Sequence, residues 1–336
     1  MNIILINCDN ITPSAAEVDH DSVISLWLEV EEYFRSNDVQ FNKQESVSLQ
    51  IDSMQIRERL ECLKPENFSV FFERYIPDKG DLDLEKDHPL SAVLEVKIRK
   101  EPTDDSWNRS AFLRCFIEQL FLVMNICSRG GCNYGRFSIN NDNKEYSLHC
   151  DIIESGWHRA CIDNWPNLLN IPFANAWPWM ERNGGLSYLL AETPINKAFA
   201  VLLHLSYKPG IEATDVVQLS QVLESLYLSK GEPKTRGLSR KIPAALGSFP
   251  ENGRRWLKDF YKLRSDIAHG DFPIFRPRYD EEDSGFKVVE DRYWEVSSEI
   301  DRGVSIVIAT LQDLINKKSD YYIFKEEITV ESGSYG

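Results

Sequence analysis

The period of the hydrophobic pattern changes halfway along this chain, and that change restricts the available folds more than any other feature. Before about residue 150, apolar side chains recur at every second position. Val47, Leu49 and Ile51 alternate with Ser48, Gln50 and Asp52, and Leu94, Val96 and Ile98 alternate with Glu95, Lys97 and Arg99. A period of two sets one face of a strand on a core and the other in water. Residues 68–75 are a further expected strand. Asn140, Asn141, Asp142 and Asn143 have hairpin-turn composition between the strand-like runs at 137–139 and 146–148. One helix, over 110–126, interrupts this strand-dominated half, with Leu113, Phe116, Ile117, Leu120 and Met124 at helical spacing.

After about residue 194 the period becomes that of a helix. Residues 196–205 are apolar on most faces, and Leu219, Val222, Leu223 and Leu226 mark a second helix. A short helix over 238–246 is disturbed at Pro243. Ser248 to Glu251 has the form of a capping box opening the next helix, which runs to His269 and stops at Gly270. Within it Trp256, Phe260, Leu263 and Ile267 form one stripe, and a last helix is predicted over 293–316. Between the halves, 151–193 holds Trp157, Trp165, Trp177 and Trp179 among prolines. The prolines predict irregular backbone there, and the tryptophans either pack the halves together or offer a platform for bases. The predicted plan is α+β. A β-rich N-terminal domain (1–150), a Trp/Pro-rich joint (151–193), an all-α domain (194–318) and a tail (319–336) follow in order.

The chain has 336 residues, enough for two domains, and 38 basic against 53 acidic residues give a net charge of −15. Such a balance excludes a protein that coats nucleic acid by bulk positive charge, so any such contact must be local. Seven cysteines without a regular framework, no basic leader and no run of about 18 apolar residues predict a cytoplasmic protein with no membrane partner. Cys127, Cys132, His149, Cys150, His158 and Cys161 are spaced too irregularly for a zinc site, and buried thiols are the expected reading. No metal and no cofactor is expected.

Chemistry concentrates in Leu263, Arg264, Ser265, Asp266, Ile267, Ala268, His269 and Gly270. Arginine offers a planar fork of donors to phosphate oxygens, and histidine can move a proton near neutral pH. Five residues apart, the two side chains leave a helix about 140° from each other. One helix therefore does not aim both at one phosphate, whereas two helices facing across a symmetric interface could. The surroundings are basic: from Lys230 to Arg278 twelve Lys or Arg face five acids. Arg236, Arg240, Lys241, Arg254, Arg255, Lys258 and Lys262 are the candidate RNA contacts. The acidic run Asp280 to Asp283 then reads as a solvated loop, or as a flap over this surface.

The run Tyr261 to Gly270 resembles the signature of HEPN domains, in particular their Apea-like branch in prokaryotic defence proteins, and the resemblance covers roughly 194–315. It carries Arg264 and His269 at the family's spacing, with Ser265 where Asn, Asp or His is more usual. The resemblance implies a helical bundle that forms a homodimer and a metal-independent endoribonuclease. In that chemistry His269 is the acid–base residue, Arg264 stabilises the phosphorane, and Asp266 or Ser265 orients the histidine. It further implies an effector of anti-phage defence or of a toxin system, with a trigger or antitoxin acting at the N-terminal domain. Some members of the family bind RNA or nucleotides, or only dimerise, without cleaving.

Overall fold

The computed structural model of the protein describes residues 2–11, 18–42, 44–64, 67, 90–140, 144–184, 190–208, 210–251, 253–273 and 286–325. The strand expected at 68–75, the turn at 141–143, Arg276, Arg278, Asp280 to Asp283 and the chain after 325 lie outside the described residues.

The architecture is α+β, with the whole sheet drawn from the first half. Strands β1 (Asn2–Cys8), β2 (Val39–Gln40), β3 (Ser46–Asp52), β4 (Ala92–Lys100), β5 (Gly135–Ile139) and β6 (Glu145–Leu148) run in the order β2-β3-β4-β1-β5-β6. Every pairing is antiparallel. In the middle, Ile6 of β1 stands opposite Leu94 on one side and Ile139 on the other. The alternation seen in the sequence holds in β3 and β4, which turn Val47, Leu49, Ile51, Leu94, Val96 and Ile98 to the core. Strands β5 and β6 pair on either side of the Asn-rich segment, as its composition predicts.

The first half is more helical than expected. Besides α3 (Arg109–Cys127), it holds α1 (His20–Ser36) and α2 (Met54–Cys62). The residue types in α1, rich in Val, Ile, Trp and Phe, favour strands taken singly. Their spacing decides otherwise: Val23, Leu26, Trp27, Val30 and Phe34 form one buried face, and the Asp19 side chain accepts from the Ser22 amide at the N-cap. Helix α1 lies on β3, and α2 lies on β4. Helix α3 is long and apolar enough to cross a membrane by length and composition, yet 72% of it is buried inside the protein. It is a core helix.

The tryptophan-rich segment is also a correction. It is largely helical, in α4 (Asp151–Asp163) and α5 (Phe173–Arg182), with irregular backbone confined to the connections. Pro178 removes one backbone donor inside α5, a real cost. Burial of Phe173, Trp177, Trp179 and Met180 along the same helix outweighs it. Trp177 meets Phe34 at 4.8 Å and Phe116 at 5.5 Å between ring centroids, so these tryptophans are core residues that join α1, α3 and α5.

Helices α6 (Pro194–Ser206), α7 (Ala213–Tyr227), α8 (Lys234–Leu246), α9 (Gly253–His269) and α10 (Phe286–Asn316) complete the chain. Helix α9 begins at Gly253, whose amide donates to Pro250 O at 2.8 Å, so Ser248 stands outside the helix and does not cap it. Helix α10 starts earlier than predicted and packs on helices from both halves. Gly156 lets α4 approach it: a Cβ there would sit 2.6 Å from Val304 Cγ1. Deep in this contact Gln312 donates to Ile126 O at 2.7 Å and Leu169 O at 2.9 Å, and accepts from Leu169 N at 3.2 Å. One buried apolar network runs from β1 to α10. After α10 the chain folds back, setting Tyr322 and Phe324 against Tyr227.

Candidate functional site

Helix α9 carries every residue of the Arg264–His269 motif, and its two sides are unlike. Trp256, Leu257, Phe260 and Leu263 are buried, and Ile267 packs half-buried against the core. At about 100° per residue, Arg254, Lys258, Lys262, Ser265 and His269 fall within roughly 80° of one another on the other side. All but Ser265, which is half-buried, are exposed. The helix ends as its sequence predicts. Gly270 takes φ +82°, and its amide donates to Ile267 O at 3.3 Å. The amides of Asp271 and Phe272 donate to Asp266 O at 2.8 and 3.1 Å, and Phe272 is buried, which pins the reversed chain.

The motif residues are thereby separated. His269 is exposed at the end of the basic strip. Arg264 is half-buried on the side that meets α7, beside Tyr261, and its Nε is buried without a hydrogen-bond partner. Tyr261 in turn donates to Glu224 of α7 at 3.3 Å, and Lys234 pairs with Glu224 at 2.8 Å. Burial and the Glu224 carboxylate push the Tyr261 hydroxyl well above its ordinary range. Among the described residues no hydrogen bond or ion pair joins Arg264 to His269, and Ser265 has no side-chain hydrogen bond. Asp266 pairs with Lys262 at 2.7 Å, which raises the lysine pKa, and makes no contact that would orient His269.

The basic residues divide in the same way. Arg236 and Arg240 are exposed on α8. Lys241 is part of the scaffold: it is half-buried, pairs with Glu232 at 2.6 Å and lies 5.1 Å from the centre of the Phe324 ring. That pairing holds the Glu232 carboxyl below its usual range. Arg255 reaches Asp259 at 3.7 Å, whereas Arg254 and Lys258 form no ion pair among the described residues.

About 24 Å from His269, taking 1.5 Å per residue, the first turn of α9 borders a cleft of about 470 Å³. Trp165, Trp256, Asp163, Glu299 and Arg302 line it. Arg302 bridges Asp163 at 3.1 Å and Glu299 at 3.6 Å, and Arg159 reaches Asp163 at 2.9 Å. Burial pushes the Glu299 carboxyl up to about 7 and that of its neighbour Asp301 to about 6. A smaller cleft of about 210 Å³ lies between α3, α5 and α6. His204 is exposed at its edge. The sequence held one sign of this cleft, the adjacent polar pair Glu118 and Gln119 in the middle of a largely apolar helix.

All seven cysteines are free, with Cys127, Cys132 and Cys150 buried and Cys161 exposed. Among the described residues no three His, Cys, Asp or Glu side chains gather as metal ligands. No family model, no curated protein and no solved structure matches this chain.

Proposed function

We propose that the protein is a HEPN-type endoribonuclease that needs no metal, with His269 as its acid–base residue. The observation that carries this reading is the position of His269. It stands exposed at the glycine-capped end of α9, in line with Arg254, Lys258 and Lys262. A single strand of RNA laid along that strip would meet cations first and the imidazole at its end. There the imidazole takes the proton of a ribose 2′-hydroxyl as that oxygen attacks the adjacent phosphorus. The P–O5′ bond breaks, the 5′-oxygen takes a proton from solvent water to leave as a hydroxyl, the imidazolium returns its proton to solvent, and a 2′,3′-cyclic phosphate remains.

Arg264 enters through symmetry. It leaves α9 on another side from His269, so one copy presents the histidine without the arginine. A second copy, brought against the end of α9, would supply the guanidinium that stabilises the phosphorane. The bundle of α6 to α10, an effector role in defence or toxicity, and a trigger or antitoxin acting on the sheet-bearing half belong to the same reading. A second reading rests on Arg264 itself. Half-buried beside Tyr261, it suits a scaffold role, in which α9 binds RNA or a nucleotide without cutting it.

The test compares wild type with His269→Ala on mixed cellular RNA in EDTA, with the product ends analysed. Cleavage by wild type alone, leaving cyclic phosphates, is the expected outcome. RNA binding by both proteins with cleavage by neither favours the second reading. Equal cleavage by both removes His269 from the chemistry.

A further inference from the structure

The cleft of about 470 Å³ beside the first turn of α9 carries more negative charge than its own ion pairs use. Four carboxylates line it, those of Asp163, Glu251, Asp259 and Glu299, against the guanidiniums of Arg255 and Arg302. Asp163 is matched twice, by Arg159 at 2.9 Å and by Arg302 at 3.1 Å. The other three carboxylates are not. Among the described residues Glu299 meets no cation closer than Arg302, at 3.6 Å, and Glu251, exposed, has no ion pair. Arg255 reaches Asp259 at 3.7 Å with both side chains in solvent, an arrangement worth little. The remaining walls are aromatic, from Trp165 and the buried Trp256. Trp165 is half-buried and held in place by its indole N–H, which donates to Gly247 O at 3.2 Å, and by the Phe249 ring at 5.0 Å.

We infer that this cleft binds an organic dication with an apolar middle, of the diamine class. Four carboxylates against two guanidiniums leave two charges to be answered, which calls for two ammonium groups. Glu251 and Asp259 are open to solvent, so an entering cation meets them without displacing a strong pair. Methylenes between the two ammonium groups would lie on the tryptophan walls, whose ring faces also attract the charged ends. Other ligand classes fit less well. Among the described residues no three His, Cys, Asp or Glu side chains gather as metal ligands, and a hydrated metal ion makes no use of indole walls. An anion, which the first turn of a helix attracts by itself, would meet the same unmatched carboxylates. The volume lies within the roughly 300–1,000 Å³ of small-molecule sites. The bound diamine would touch α4, α9 and α10 together, and its binding does not depend on RNA cleavage.

The experiment uses the full chain at pH 8, where Glu299 carries its charge, with putrescine as the probe, followed by calorimetry and thermal melting. Putrescine should bind saturably and raise Tm. Butylamine, with one charge, should bind about tenfold more weakly, and the neutral 1,4-butanediol should not bind. The double substitution Glu251→Gln with Asp259→Asn, at two exposed positions, should weaken putrescine binding by about tenfold or more. Glu299→Gln should do the same, and it decides the matter if the double variant fails to fold. The proposal is overturned if putrescine does not saturate at millimolar concentration, if a folded variant binds it as wild type does, or if butylamine binds as tightly. It is also overturned if magnesium at equal charge raises Tm as much, since the diamine would then be a counterion to a chain of net charge −15.

Discussion

The two ends of α9 do different work. At the start of the helix Trp256 is 6% exposed, and the residues around it, Asp163, Glu299 and Arg302, are tied into ion pairs with one another. At its far end Ala268, His269 and Gly270 stand in solvent, and the capping amides and buried Phe272 hold the turn. One end buries a tryptophan beside a cleft that α4 and α10 also line, while the other holds a titratable side chain clear of the core. The contrast teaches that a single helix can be buried at one end and present a titratable side chain to solvent at the other, and it can be attacked at either end.

The largest effect should come from the anchored end. Trp256→Ala should cost about 3–5 kcal/mol of unfolding free energy, read by chemical denaturation. In the same assay His269→Ala should stay within about 0.5 kcal/mol of wild type. Similar losses for both would erase the distinction between the ends.

Glu299 provides a pH signature for the same anchor. Its folded pKa, about 7, lies above its ordinary value of 4.5, so between those values the folded state holds a proton that the unfolded chain releases. Stability should therefore fall as pH rises from about 4.5 through 7. Asp301, raised to about 6 by burial, acts in the same direction. Glu299→Gln should flatten the slope and gain stability relative to wild type at pH 8. An unchanged slope would mean that the carboxyl is hydrated in solution.

Smaller effects belong to the free end. Gly270→Ala forces a side chain onto φ +82° and should cost about 1 kcal/mol, again by denaturation. Smallest of all, Arg254→Ala and Lys258→Ala should each weaken RNA binding several-fold. Each should also reduce the slope of log affinity against log salt by about 0.7, the value for one phosphate contact on a single strand. Slopes unchanged in both variants would move the RNA off this face.

What could be read beforehand follows the same physics. The strip of α9, its glycine stop and the alternation of β3 and β4 were legible because each rests on local periodicity or one backbone conformation. Helices α4 and α5 were not. Gly156 and Pro178 oppose helix locally, and what keeps the helices is contact with Val304 in one case and with Phe34 and Phe116 in the other. Those partners are distant in sequence. Ser248 to Glu251 has the pattern of a capping box, but the helix starts at Gly253, five residues after Ser248. At the candidate site, the spacing of Arg264 and His269 already implied divergent side chains. That Arg264 would lie half-buried beside Tyr261, with Asp266 engaged by Lys262, depended on α7 and on the choice among exposed ion pairs.

The separation of Arg264 from His269 makes the shared site the claim to test most directly. Arg264→Ala and His269→Ala proteins should each lose RNA cleavage, and mixing equal amounts under conditions of subunit exchange should restore about a quarter of the wild-type rate. Half of the dimers would then be mixed, and each would hold one intact site. No restoration on mixing, with exchange shown by differently tagged subunits, would contradict a site built from two copies.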